Sequence, residues 1–343
     1  MATSVPLAGR SRLHAWALAF ARDLAPHDWL IIAYFGLLFV GVLFGAGPNR
    51  LEAAQTVGLD TLCLLMGLGL TRGDVLTRGG FASSMLYRLT LFTTVLSSYF
   101  QLRVILPASA PRAVDATLYA IDLRVFHYEP SLAWDRFVTP GLTEWFAFFY
   151  FGYFFLLAIH VLPFMLAARN MAMLARFATA IFTVFCAGHL LYIVVPGFGP
   201  YRYLAGSYQH ELTGGVFWRM VEATVSGAGA QKDIFPSLHT AVPTMFAMLA
   251  IRHRKAFLPF RISWPLVGFC AFQIVIATMF LRWHYLIDIC AGLALAAFAT
   301  ISSDRVVSWE EARRERLGLP PAWYPLQWRR APARGLTPSA ARD

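Results

Sequence analysis

Eight apolar runs constrain this chain more than any other feature in it. They cover residues 29–45, 57–70, 87–106, 143–167, 174–195, 239–251, 262–281 and 285–301. A helix needs about 20 predominantly apolar residues to cross the hydrocarbon core of a bilayer. The second run is short and contains Asp60; the sixth is also short but extends backwards to Phe235. Hydrophobic residues make up 58% of the chain and charged residues 14%, where a soluble domain is about a quarter charged. A globule in water has no place for so many apolar side chains, so some must face lipid. The expected fold is all-α: a polytopic helical membrane protein with about eight transmembrane helices, six or seven being the alternatives. The expected organisation is a cytoplasmic or interfacial segment over 1–26, one transmembrane domain over 27–303 and a basic cytoplasmic tail over 304–343.

The short-loop charges give an orientation. Arg72, Arg78 and Arg88, then Arg169 and Arg176, then Arg252, Arg254, Lys255 and Arg261 fall between alternate runs, and the tail adds Arg305, Arg313, Arg314, Arg316, Arg329 and Arg330. With eight spans all of these lie on the side of the N-terminus, which the positive-inside rule makes cytoplasmic. Dropping the second run alone would destroy this agreement. The formal net charge of +10 then belongs to cytoplasmic loops and anionic lipid rather than to nucleic acid. Two long connections, 107–142 and 196–235, face the other side, and long loops are often functional. No cleaved signal peptide is expected, because the run starting near Trp29 follows Arg10, Arg12 and Arg22 without a small-residue cleavage site. Residues 13–24 read as an interfacial helix or a flexible leader, and the Arg- and Pro-rich tail from Asp304 as partly disordered. Cys63, Cys186, Cys270 and Cys290 lack metal-ligand spacing and read as small buried hydrophobes.

Three segments on the non-cytoplasmic side could carry chemistry. In Phe235-Pro236-Ser237-Leu238-His239-Thr240, Pro236 and Ser237 precede an apolar run and look like a helix start, with Ser237 near the N-cap. Free backbone N–H groups at such an end bind anions, and His239 would touch the same anion. In Arg282-Trp283-His284-Tyr285-Leu286-Ile287-Asp288, the four-residue spacing puts His284 and Asp288 on one face of a helix. The carboxylate would fix the imidazole tautomer, and the Arg282 fork suits phosphate. Pro196-Gly197-Phe198-Gly199-Pro200-Tyr201-Arg202-Tyr203 is a stiff, glycine-interrupted turn ending in arginine. The eight-span topology brings all three segments to one face.

Each residue also has a plainer reading. A lone histidine or arginine at an interface commonly anchors to headgroups. His160 and His189 read as packed, hydrogen-bonded residues inside the bundle. Tyr201, Trp283 and Tyr285 fit an aromatic belt. Asp122, Glu129, Asp135 and Glu144 fit ordinary solvated charges of an outer loop.

Phe-Pro-Ser-Leu-His followed by Arg-Trp-His-Tyr-Leu-Ile-Asp-Ile-Cys-Ala-Gly resembles the type 2 phosphatidic acid phosphatase superfamily over residues 115–301. The Leu238 position, where typical lipid phosphatases more often have Gly, is closest to the inositol phosphorylceramide synthase-like branch, as is the Gly-Pro-aromatic segment. The resemblance implies a six-helix phosphatase-like core. It implies His284 as nucleophile forming a phosphohistidine, Asp288 holding its ring, and His239 as general acid on the departing oxygen. Ser237, Leu238 and nearby N–H groups would hold phosphate oxygens, with Arg202 and Arg282 as clamps and Tyr201 and Lys232 as weaker candidates. No metal and no other cofactor is implied, since fixed positive charge can stabilise the transition state. The chain departs from the broader pattern at Thr278, where an arginine is usual, and it lacks the Lys…Arg-Pro motif.

The expected function is a lipid phosphotransferase, with a lipid phosphate phosphatase as the alternative and a non-catalytic transporter or scaffold as the reading from another class. The expected partners are a phosphorylated lipid, a lipid hydroxyl acceptor and membrane lipids. Neither the acceptor nor the oligomeric state is legible in the motifs.

Overall fold

A computed structural model describes residues 7–228 and 232–326, with residues 7–13 described by their backbone alone. Each of the eight apolar runs forms a helix. The helices are α1 Leu7–Asp23, α2 Pro26–Phe44, α3 Arg50–Arg72, α4 Phe81–Ser109, α5 Asp115–Val125, α6 Pro130–Ala133, α7 Pro140–Ala167, α8 Met171–Val194, α9 Pro200–Tyr203, α10 Val216–Ala228, α11 Leu238–His253, α12 Leu258–Phe280 and α13 Leu286–Leu317. Seven of them, α2, α3, α4, α7, α8, α12 and α13, are long and apolar enough to cross a membrane. The chain is an integral multi-pass membrane protein. The exception is α11: its 16 residues reach about 24 Å at 1.5 Å per residue. It is packed among α7, α8, α12 and α13, so most of its surface meets protein, and its length need not match the bilayer.

The weak second run is a full helix, α3. Its Asp60 is almost completely buried against α4, where Ser97 and Gln101 donate to Oδ1 at 3.4 and 3.3 Å. An acid at membrane depth is costly unless it turns inward to partners, and α4 supplies them. His189 is also buried, its Nδ1 3.0 Å from the Tyr34 hydroxyl, and His160 Nδ1 bonds the Leu156 carbonyl at 2.8 Å. Both are packed residues, as expected. Of the four cysteines only Cys186 is fully buried; Cys63 and Cys290 are exposed on the outside of α3 and α13, which corrects the reading of all four as buried.

The two terminal segments are helical where they are described. From Asp304, α13 continues to Leu317, where Gly318 adopts a left-handed φ of 62° and ends the helix. Residues 318–326 then fold back, and Trp323 enters the core between His27 and Tyr87, with ring centroids 4.9 Å away in each case. Arg329 and Arg330 lie outside the described residues. At the start of the chain, α1 is helical from Leu7, the helix of the two alternatives.

Because the crossing helices alternate in direction, α1 and the segment after α13 share one end of the bundle. The starts of α11 and α13 lie at the other. The end with the terminal segments is held by ion pairs: Arg72 Nη2 to Asp28 Oδ2 at 3.2 Å, Arg314 Nη1 to Asp23 Oδ1 at 3.0 Å, Arg314 Nε to Glu310 Oε1 at 2.6 Å and Arg78 Nη1 to Asp23 Oδ2 at 2.9 Å. Arg88, fully buried, donates to the carbonyls of Met165 and Tyr324. It neutralises orphan acceptors at the end of α7, where a cation is favoured.

The opposite end is built from the two long connections, which the acids read as solvated in fact hold together. Asp122, fully buried, accepts from the Leu286 and Ile287 N–H groups at 2.7 and 2.9 Å. Glu144 accepts from Gly215, Phe217 and Trp218 N–H. Glu129 caps α6 through Ser131, and burial pushes its carboxyl up to about 7. Asp135 binds Gln209 N–H, His210 and Arg282. A long loop cannot be buried with its N–H groups unpaired, and these carboxylates pair them.

Candidate active site

Three chain segments meet at this end, and their backbones lock each other. Phe235-Pro236, a cis peptide, leads into Ser237, whose side chain accepts from Thr240 N–H at 3.2 Å and so caps α11. The Ser237 N–H donates to the Asp288 carbonyl at 3.1 Å, tying the start of α11 to α13. Tyr201 N–H donates to the Arg282 carbonyl at 2.7 Å, tying the glycine-rich turn to the histidine segment. Gly199 has φ 93°, and a Cβ there would lie 2.4 Å from the Trp283 carbonyl oxygen, so only glycine fits. Asp115 binds the N–H groups of Phe198 and Gly199 at about 3 Å and accepts from the Tyr285 hydroxyl at 3.1 Å. Tyr285 is fully buried, which corrects its reading as a belt residue. Leu238 points into the core against Gly188, where an added Cβ would come within 2.6 Å of its methyl. The leucine of the motif is thus matched by a glycine on α8, and only its backbone is left for an anion.

His239 and His284 line one cavity of about 340 Å³. His239 stacks on Tyr150 at 4.3 Å between centroids and packs on Tyr153 at 4.2 Å. Its Nε2 is buried with no hydrogen-bond partner among the described residues. His284 is 4% exposed, and its Nδ1 lies 3.5 Å from Asp288 Oδ2. The two do not share a helical face as their spacing suggested, because α13 starts only at Leu286. Asp288 is the third residue of that helix and reaches back to the Tyr285 N–H at 2.9 Å. This capping carries its carboxylate to the imidazole. Burial lowers the pKa of His284 to about 4, against the opposing pull of Asp233, so the ring is neutral at physiological pH. A neutral ring keeps a lone pair on one of its nitrogens, which is what a nucleophilic imidazole requires.

A family model described as the PAP2 superfamily matches residues 116–301. The chain belongs to this superfamily. No curated protein and no solved structure matches it. Membership in the PAP2 superfamily suggests phosphatase or phosphotransferase activity on phosphorylated substrates.

None of Arg202, Lys232 and Arg282 of this PAP2 protein lines the cavity itself. Arg282 is held by partners of its own. It donates to Asp135 Oδ1 at 2.7 Å and to the His210 carbonyl at 2.6 Å, and lies 3.7 Å over the Tyr208 ring. These contacts, with a left-handed φ of 67°, make it the organiser of the turn leading to His284. Arg202 lies 3.8 Å over the ring of Phe198, a residue of the cavity wall. Lys232 lies 5.4 Å from the same ring and donates to the carbonyls of Ala110 and Pro111. Neither has a carboxylate partner among the described residues. Tyr201 packs on Trp283 at 4.7 Å.

Three wall residues carried no signal that sequence reasoning used. Asp233 lines the cavity beside both histidines, and burial raises its carboxyl above the ordinary range. Trp283, read as a belt residue, lines it as well and holds a buried Nε1–H without a partner among the described residues. Tyr150 supports His239 from a helix far away in sequence. Among the described residues no three His, Cys, Asp or Glu side chains gather as a metal site would require.

Proposed function

We propose that this protein is a metal-independent lipid phosphotransferase resembling inositol phosphorylceramide synthase. The observation that carries the reading is the convergence of His239 and His284 on one cavity, with Asp288 at the second nitrogen of His284. A nitrogen of His284 attacks phosphorus, the bond to the leaving alcohol breaks, and His239, entering this step as the imidazolium that the anionic phosphate beside it favours, gives that oxygen its proton. A lipid hydroxyl then attacks the phosphohistidine, His239 takes its proton back, and His284 is regenerated. Backbone N–H groups at the start of α11, with Arg202 and Lys232, supply the positive field for the phosphate oxygens. Leu238 favours transfer over hydrolysis by its likeness to the synthase branch. The arginine-rich end with both terminal segments is cytoplasmic by the positive-inside rule, so the reaction faces the other side.

The test is to incubate the purified protein with lipid phosphates and phosphatidylinositol, with and without ceramide or diacylglycerol, in EDTA. A new phospholipid formed only with acceptor supports transfer. Release of free phosphate makes the protein a phosphatase. Strict metal dependence refutes the metal-free mechanism, and no turnover of any substrate points to a transporter or scaffold.

A further inference from the structure

The cavity does not stop at the histidines. It continues along α7 from Tyr150 to Met165, a distance of about 22 Å at 1.5 Å per residue. One leaflet of the hydrocarbon core is about 15 Å thick, so the cleft is deeper than a leaflet. Tyr99, Tyr150, Tyr153 and Tyr192 stand around its upper part; beyond them the lining on α4, α7 and α8 is apolar apart from Thr93.

The back and front of the cleft differ. Ile181 and Phe182 of α8 close the back and are 2% and 1% exposed. At the front, Leu96 of α4 and Leu162 of α7 line the cleft yet are 48% and 47% exposed. The two helices touch at only a few residues. The front therefore opens sideways, toward lipid. An apolar cleft of this depth inside a bilayer is poorly suited to water and well suited to a hydrocarbon chain.

Resting on the phosphotransfer reading, we infer that the cleft between α4 and α7 is the acyl-chain site of the substrate, which enters sideways from the membrane. Its apolar floor takes one chain. The tyrosine collar takes the polar link between chain and phosphate, where amphipathic rings are favoured. The phosphate then arrives at His239 and His284.

Ala158 is the small residue midway down the α7 wall, so Ala158→Trp should fill the cleft while leaving the histidine end open. The quantity to read is kcat/KM for a long-chain lipid phosphate divided by that for its short-chain analogue. We expect this ratio to fall by about tenfold or more, the scale on which a pocket rejects extra methylenes. An unchanged ratio overturns the inference, and because it is a ratio it tolerates partial loss of folded protein. Crosslinking in the full-length wild-type protein reads occupancy without turnover. A lipid phosphate with a diazirine at its chain end, in phosphatidylcholine vesicles, should label the α4 and α7 walls. Excess lipid phosphate should compete this label and excess phosphatidylcholine should not. Labelling confined to outward residues such as Phe269 and Phe272, or equal competition by phosphatidylcholine, overturns it. His284→Ala should crosslink like wild type even though it cannot react, so failure of the cleft and failure of the phosphotransfer reading give different results.

Discussion

The two ends of the bundle use the same residue types to opposite effect. At the end with the terminal segments, Asp23, Asp28 and Glu310 each meet an arginine, and the pairs tie α1, α2, α3 and α13 together. At the other end, Asp115, Asp122, Glu129 and Glu144 bind backbone N–H groups instead. Among the described residues only Asp135 meets an arginine there, Arg282. Arg202 and Lys232 are thereby left without a carboxylate among the described residues, Lys232 donating to the Ala110 and Pro111 carbonyls, while His239 Nε2, His284 Nδ1 and Trp283 Nε1 on the cavity wall are buried without hydrogen-bond partners. Buried polar groups are normally satisfied, and exceptions call for an explanation. One end has used its charges for assembly. The other has used its acids to organise the loops around the cavity.

This contrast can be broken by experiment. The largest effect should come from His284→Ala, which should abolish turnover of a phosphorylated lipid, while His239→Ala lowers kcat by about two to four orders of magnitude. The melting temperatures of both should stay close to wild type. Full activity of His284→Ala would remove the mechanism. At the opposite end Asp28→Ala leaves Arg72 buried without its acid, and should cost about 3 to 5 kcal/mol of stability in a denaturation assay. Its kcat/KM, corrected for folded fraction, should be retained; a catalytic loss with intact stability would erase the distinction between the ends.

The next effect compares the two arginines. Arg202→Ala should raise KM about ten- to a hundredfold, the scale of a charge-assisted hydrogen bond to phosphate. Arg282→Ala should mainly lower the melting temperature, because it loses the Asp135 pair. The reverse ranking in steady-state kinetics would make Arg282 the clamp. The smallest effect concerns pH. An unperturbed histidine, with a pKa of about 6.5, would lose roughly thirtyfold of its neutral form by pH 5. Since burial holds His284 down to about 4, it is depressed, stays neutral above that value and is lost as a nucleophile only as pH falls through it. The nucleophile's limb of the kcat/KM profile should therefore lie near pH 4; a limb near 6.5 would mean that the imidazole is solvated. Orientation is a separate check. A thiol at position 210, whose present side chain is 51% exposed, should react with an impermeant reagent from outside the cell, and labelling from the cytoplasm would invert the proposed topology.

Much of this architecture was legible without coordinates, because helix length and apolar content are local properties set by bilayer thickness. The eight helices, including α3 despite its Asp60, follow from that. So does the meeting of the three motif segments at one end, since alternation of direction needs only a correct count. The N-cap role of Ser237 was readable because capping is decided within a few residues. What the chain alone left undecided were choices between partners far apart in sequence. Arg282 and Arg202 look equally fit to hold phosphate until Asp135, from a distant loop, claims one of them. Asp122 and Glu144 look like solvated loop charges until loops some 70 or more residues away present their N–H groups. Asp233 lacks a motif, and becomes part of the site only when residue 284 is folded beside it. The cleft between α4 and α7 is the gap between helices that do not pack closely, and no residue pattern records a gap. Local periodicity and capping determined where the helices are. Long-range competition for a few buried charges decided which side chains hold the loops and which line the cavity.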